Sequence, residues 1–144
     1  MPPVSAWLLR LSLVALLGGG ALGGWLLGVE PWASAWLPRL RAAHVHLMLF
    51  GWLLPFVLGT GYWILPRHAS GEARGSPRLG VAGAALITAG VVLGPAGALA
   101  ASRSLERSGL ACALAGAGLF LSLLWPRVKA FGIGREQSAV SSEQ

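Results

Sequence analysis

Residues 39–67 read R-L-R-A-A-H-V-H-L-M-L-F-G-W-L-L-P-F-V-L-G-T-G-Y-W-I-L-P-R. Between its flanking arginines the stretch Ala42–Leu65 is apolar except for two imidazoles near its start and two hydroxyls further along. Its length is close to the roughly 20 residues that cross a hydrocarbon core. Three further stretches have the same character: Ala6–Leu27, Leu79–Ala101 and Gly109–Trp125. Of the 144 residues 55% are hydrophobic and 11% charged, where a soluble domain carries roughly 25% charged residues. Mean hydropathy is +0.67. The expectation is an all-α membrane protein, a four-transmembrane-helix antiparallel bundle forming a single domain over residues 1–131. A polar, disordered tail is expected over 132–144.

The first stretch is too long for the apolar part of a signal peptide, and Gly24-Trp25-Leu26-Leu27 continues it with no clear small-residue cleavage site. It reads as a retained helix. One cysteine, Cys112, leaves no intrachain disulfide.

The formal charge of +6 does not imply nucleic acid, because the arginines punctuate the ends of apolar segments and form no tract. Their distribution gives an orientation. Arg10, Arg67, Arg74, Arg78, Arg127, Lys129 and Arg135 fall on one side, and Arg39, Arg41, Arg103 and Arg107 on the other. Seven against four places both termini in the cytoplasm, in a bacterial or archaeal plasma membrane. Arg10 lies inside the first span and must snorkel outward.

Glycines crowd the first, third and fourth spans, at Gly18-Gly19-Gly20, Gly23-Gly24, Gly80, Gly83, Gly90, Gly94, Gly109, Gly116 and Gly118. In lipid such residues let helices approach closely. The connections read as Val29–Arg41, with Trp32 and Trp36 at headgroup level, Pro66–Arg78, and a short Ser102–Ser108 that makes the last two helices a hairpin. Pro38 limits the first connection, and Pro55 bends the second span.

The chemistry concentrates at His44 and His46. Imidazoles at the mouth of a membrane helix need a partner, and a metal or metal cofactor is one. Two residues apart on a helix is roughly 200° of rotation, so the rings face nearly opposite ways. They cannot take both axial positions of one haem iron. Met48 shares the His44 face. Cys112 reaches a similar depth in the fourth span and reads as a packing thiol or a further ligand. Arg39 and Arg41 are placed to neutralise haem propionates, and Trp52 adds aromatic surface. A copper or zinc site calls for about three close ligands, more than this end of the chain supplies, whereas haem needs one or two. Backbone carbonyls and water could also satisfy the pair without a cofactor. A homodimer with its axis near the second span would bring two copies of His44 or His46 together.

The stretch Arg39–Arg67 resembles the second transmembrane helix of subunit I of haem–copper oxidases, with the nearest look to cbb3-type oxidases, nitric oxide reductases and small subunit I-like membrane proteins. Gly51-Trp52, Gly59, Tyr62 and Pro66-Arg67 carry the likeness alongside the histidines. The resemblance implies that His44 is an axial ligand of a b-type haem, that Arg41 belongs to its basic lead-in, and that the helix runs from the outer face to the cytoplasm. His46 matches the second histidine of the H-x-H form in the small relatives. The chain departs from the family in its three histidines, too few for a binuclear oxidase centre. The expected function is haem b binding for electron transfer, haem handling or binding of a diatomic gas (NO or O2), leaving enzymatic activity open. The alternatives are a copper- or zinc-binding membrane protein and a cofactor-free accessory or assembly subunit of a respiratory oxidase. The expected partners are the bilayer, further copies of the chain and a respiratory-chain component.

Overall fold

The computed structural model describes the backbone of residues 1–28, 35–65 and 75–141, and side-chain surroundings as far as Val128. Among the described residues four helices are long and apolar enough to cross a membrane: α1 over Pro3–Leu27, α2 over Leu37–Ile64, α3 over Pro77–Leu99 and α4 over Arg103–Val128. The α4 backbone stays helical to Ser141. The tail expected over 132–144 lies outside the described side chains, and Trp32, Arg67, His68 and Arg74 lie outside the described residues.

The helices begin earlier than hydropathy alone suggests. For α1, α2 and α3 a proline sits in the first two helical positions. Its missing N–H has no intrahelical role there, and its locked φ already suits a helix. Pro38 therefore opens α2 instead of holding the chain in a loop, and Arg39 and Arg41 stand on the first turns of the helix. The connection expected over Ser102–Ser108 shrinks in the same way. α3 ends with Ser102 N–H donating to Gly97 C=O at 2.9 Å and Ala101 N–H to Ala98 C=O at 3.2 Å. This is the paired closure of a Schellman turn, with Ala101 in the left-handed region at φ 54°. Ser102 Oγ then accepts from Leu105 N–H at 3.5 Å and caps α4. The turn between α3 and α4 is thus Ala100–Ser102.

That turn makes α3 and α4 an antiparallel hairpin with one repeating register. Gly83 faces Phe120, Ile87 faces Gly116, Gly90 faces Ala113, and Gly94 and Gly97 meet Gly109 and Glu106. Along both helices the contacts alternate steps of four and three residues, the spacing of a left-handed seam. A Cβ on Gly90 would stand 2.8 Å from the Gly109 carbonyl oxygen, and one on Gly116 2.8 Å from that of Gly83. The seam is therefore backbone against backbone, as in membrane helix pairs built on small residues.

A second antiparallel seam joins α1 to α2. Gly59 meets Leu8, Gly51 meets Ala15, Gly19 meets Met48 and Gly23 meets His44. Val91 and Ile87 of α3, Phe120 of α4, Leu8 of α1 and Tyr62 of α2 close the core between the two hairpins. Outside it Val14, Leu17, Leu121 and Trp125 are exposed, which a lipid solvent tolerates and water does not.

Within α2 the stretch Leu47–Leu53 is π-helical, between α-helical Leu37–His46 and Leu54–Ile64. An interior proline removes one N–H and crowds the carbonyl four residues back, which is that of Gly51. The wider π turn is how this backbone accommodates Pro55.

At the far end of α2, Arg127 of α4 is 1% exposed. Its Nη2 donates to the Tyr62 carbonyl at 3.3 Å and to the Leu65 carbonyl, and its guanidinium carbon lies 5.6 Å from the Tyr62 ring centre. The last carbonyls of a helix lack intrahelical donors, so Arg127 supplies them from another helix. In the sequence it reads as an ordinary flank arginine.

Candidate functional site

The opposite end of the bundle, at the α3–α4 turn, holds both candidate histidines. His44 turns toward α1. Its Nδ1 lies 2.9 Å from the Gly19 carbonyl oxygen. A carbonyl can only accept, so Nδ1 carries the proton and Nε2 of the neutral ring keeps its lone pair. A Cβ on Gly23 would come within 2.6 Å of the ring's Cε1, so the imidazole occupies the groove that this glycine leaves. Among the described residues Nε2 of His44 takes no hydrogen bond.

His46 turns the other way, between α3 and α4, as the 200° rotation requires. Its Cδ2 would be 2.7 Å from a Cβ on Gly94. Its Nδ1 donates to the Ala42 carbonyl one turn back at 2.9 Å, and its ring lies 5.8 Å from that of Phe50, tilted by 45°. Its Nε2 is 3.8 Å from Glu106 Oε1 of α4, beyond hydrogen-bond range. Each imidazole is thus anchored at Nδ1 by a backbone carbonyl and leaves Nε2 as the available atom, and the two serve different sides of α2.

The remaining candidates are spread around this end. Arg39 is half-buried, with its guanidinium carbon 4.7 Å from the Trp36 ring centre. Arg41 is exposed one turn before His44–His46. Met48 packs its sulfur on Gly19, beside His44 on the α1 seam. Trp52 is half-buried in the π segment. Cys112 is a half-buried free thiol. Among the described residues no group of three or more His, Cys, Asp or Glu side chains gathers where it could hold a metal ion.

The donor set fits haem better than a bare cation. A metal-bound imidazole commonly donates its other N–H to a backbone carbonyl, which sets the tautomer and the ring's direction. His44 has that bond. Nothing in the spacing of Gly19 and Gly23 marks them as holding the ring, since it reads equally as helix packing.

The fold and this site define a class: an all-helical integral membrane protein of four spans with two oppositely directed imidazoles at one end of its second helix. The family model described as Cytochrome C and Quinol oxidase polypeptide I matches residues 4–128. The chain belongs to that family, which agrees with the resemblance read in Arg39–Arg67. No curated protein and no solved structure matches it.

Proposed function

We propose that the chain binds haem b through Nε2 of His44 at the α3–α4 end of the bundle, and that its role is electron transfer, with haem handling or diatomic gas binding as the forms the same site would take with an open iron position. The observation that carries this is the His44 Nδ1–Gly19 carbonyl bond, which presents Nε2 as a ligand of one defined direction. Bound haem supplies a one-electron centre or an open coordination position. The chain's residues do the rest. Gly19 and Gly23 hold the imidazole, and Arg39 and Arg41 neutralise the propionates at the water boundary. Met48 backs the ligand on the α1 seam, and Trp52 offers apolar surface. His46 faces away and would not hold the same iron as His44. The arginine count supports cytoplasmic termini, hence a site on the outer side of a bacterial or archaeal plasma membrane, within reach of respiratory-chain partners.

The test is an absorption spectrum of the purified protein beside His44→Ala and His46→Ala. The expected result is a Soret band lost in the first variant and kept in the second. An unchanged band in His44→Ala sinks the assignment. A second reading rests on the same two carbonyl bonds: His44 ties α2 to α1 and His46 braces a turn within α2, in a cofactor-free accessory subunit. Colourless protein that co-purifies with oxidase subunits would favour it.

A further inference from the structure

The His46 side of α2 opens into a cleft of about 440 Å³ lined by His46, Phe50, Arg103, Glu106, Arg107 and Leu110. It lies across the helix from His44 and is independent of the haem reading. Its lining has two levels. Phe50 and Leu110 are apolar, and Arg103, Arg107 and Glu106 stand on the first turns of α4, beside the turn that leaves the membrane.

The charges select a ligand. Arg103 and Arg107 are both exposed and, four residues apart, share one face of α4. Two guanidinium groups against the single carboxylate of Glu106 leave these three side chains with a net single positive charge. The cleft therefore favours one anionic group, held by the guanidinium pair in the way phosphate is usually held. Glu106 accepts through its carboxylate, and with Nδ1 bonded to the Ala42 carbonyl, Nε2 is the ring atom that His46 leaves toward the cleft. They call for a ligand that also brings hydroxyl donors. A metal cation is disfavoured by the two arginines and by the lack of a third ligand. A phosphodiester with free hydroxyls and acyl chains meets all three requirements.

We propose that this cleft binds phosphatidylglycerol from the bilayer, with the phosphodiester on Arg103 and Arg107, the glycerol hydroxyls toward Glu106 and His46 Nε2, and the acyl chains against Phe50 and Leu110. An arginine near a membrane phosphate contributes roughly fivefold in affinity, so two together contribute about 25-fold.

The test is native mass spectrometry of the full chain released from nanodiscs, with bound lipid counted. Nanodiscs of phosphatidylcholine carry small equal amounts of phosphatidylglycerol, phosphatidylethanolamine and phosphatidylmethanol, which has the same charge without the hydroxyls. The expected result is selective retention of phosphatidylglycerol, about 25-fold weaker in Arg103→Gln/Arg107→Gln and unchanged in Arg10→Gln/Arg78→Gln, a charge-matched control toward the other end of the bundle. Both variants alter exposed side chains, and circular dichroism checks that they remain helical. Equal retention of phosphatidylcholine or phosphatidylethanolamine, or retention that survives the double substitution, overturns the proposal. So does equal retention of phosphatidylmethanol, which removes the role of the hydroxyls. Displacement of the lipid by an equal concentration of soluble glycerol 3-phosphate would make a free phosphate ester the ligand and also overturn it.

Discussion

His44 Nδ1 and the Gly19 carbonyl oxygen meet at 2.9 Å across the α1–α2 seam. The bond joins the sequence's most distinctive side chain to a glycine whose importance is invisible in the sequence. It links helix packing to the chemistry of the site: the seam that presses α1 on α2 also selects the tautomer of the imidazole.

The glycine that makes room for the ring is the first place to test this link. In Gly23→Ala the new methyl would stand 2.6 Å from His44 Cε1, so the ring must rotate or α1 must retreat, at about 1–3 kcal/mol. If His44 holds haem, the Soret band shifts or loses intensity while the helical content stays the same. Gly24→Ala, at a neighbouring position with open space, should leave the spectrum as it was. Identical spectra for both would dissociate the groove from the site.

The α3–α4 seam should tolerate no side chain at its tightest points. Gly116→Val places carbon against the Gly83 carbonyl oxygen and Ile87, both 2.8 Å from the first added atom. The expected loss is about 1–3 kcal/mol, with separation of the hairpin measurable by steric trapping or by denaturation in mixed micelles. Gly118→Val, where nothing lies within 4 Å, serves as the control. A similar loss in both would point to helix propensity as the cause and not to the seam.

Ala101 can be improved. It holds φ 54° at the Schellman turn closing α3, a conformation that costs a residue with a Cβ roughly 1–2 kcal/mol. Ala101→Gly should raise stability by about 1 kcal/mol, part of the gain being offset by the greater freedom of glycine in the unfolded chain. The direction is read from the thermal midpoint in detergent, and a fall would contradict the turn as described.

Arg127 is expected to matter far more than its place in the sequence suggests. Arg127→Met keeps most of the packing volume but leaves the Tyr62 and Leu65 carbonyls without their donor. An unsatisfied buried acceptor costs about 1–3 kcal/mol. Hydrogen exchange at the last turn of α2 should accelerate, while exchange around His44 at the other end should not. Uniform acceleration along α2 would mean that Arg127 supports the whole helix and not its terminus.

How much of this was legible in advance follows from what each signal measures. Hydropathy located the four spans, because crossing a bilayer is a property of length and composition that needs no partner. It misplaced their starts, since Pro3, Pro38, Pro77 and the Ser102 cap begin helices by backbone geometry and not by apolarity. The missing N–H of Pro55 was plain, but not that the backbone would answer with a π segment. The opposite directions of His44 and His46 followed from helical rotation alone.

Which glycine faces which helix was not readable from the chain, because a glycine carries no side chain to mark its partner. Composition and spacing along the chain were enough for a four-span membrane protein, a family resemblance in the second helix and two imidazoles pointing apart. Only the packed bundle reveals that α1 supplies the carbonyl that sets the tautomer of His44, that α3 and α4 enclose His46 beside Glu106, and that Arg127 closes α2 from another helix. Each of these is a contact between residues distant in sequence, and the antiparallel registers of the two glycine seams bring them together.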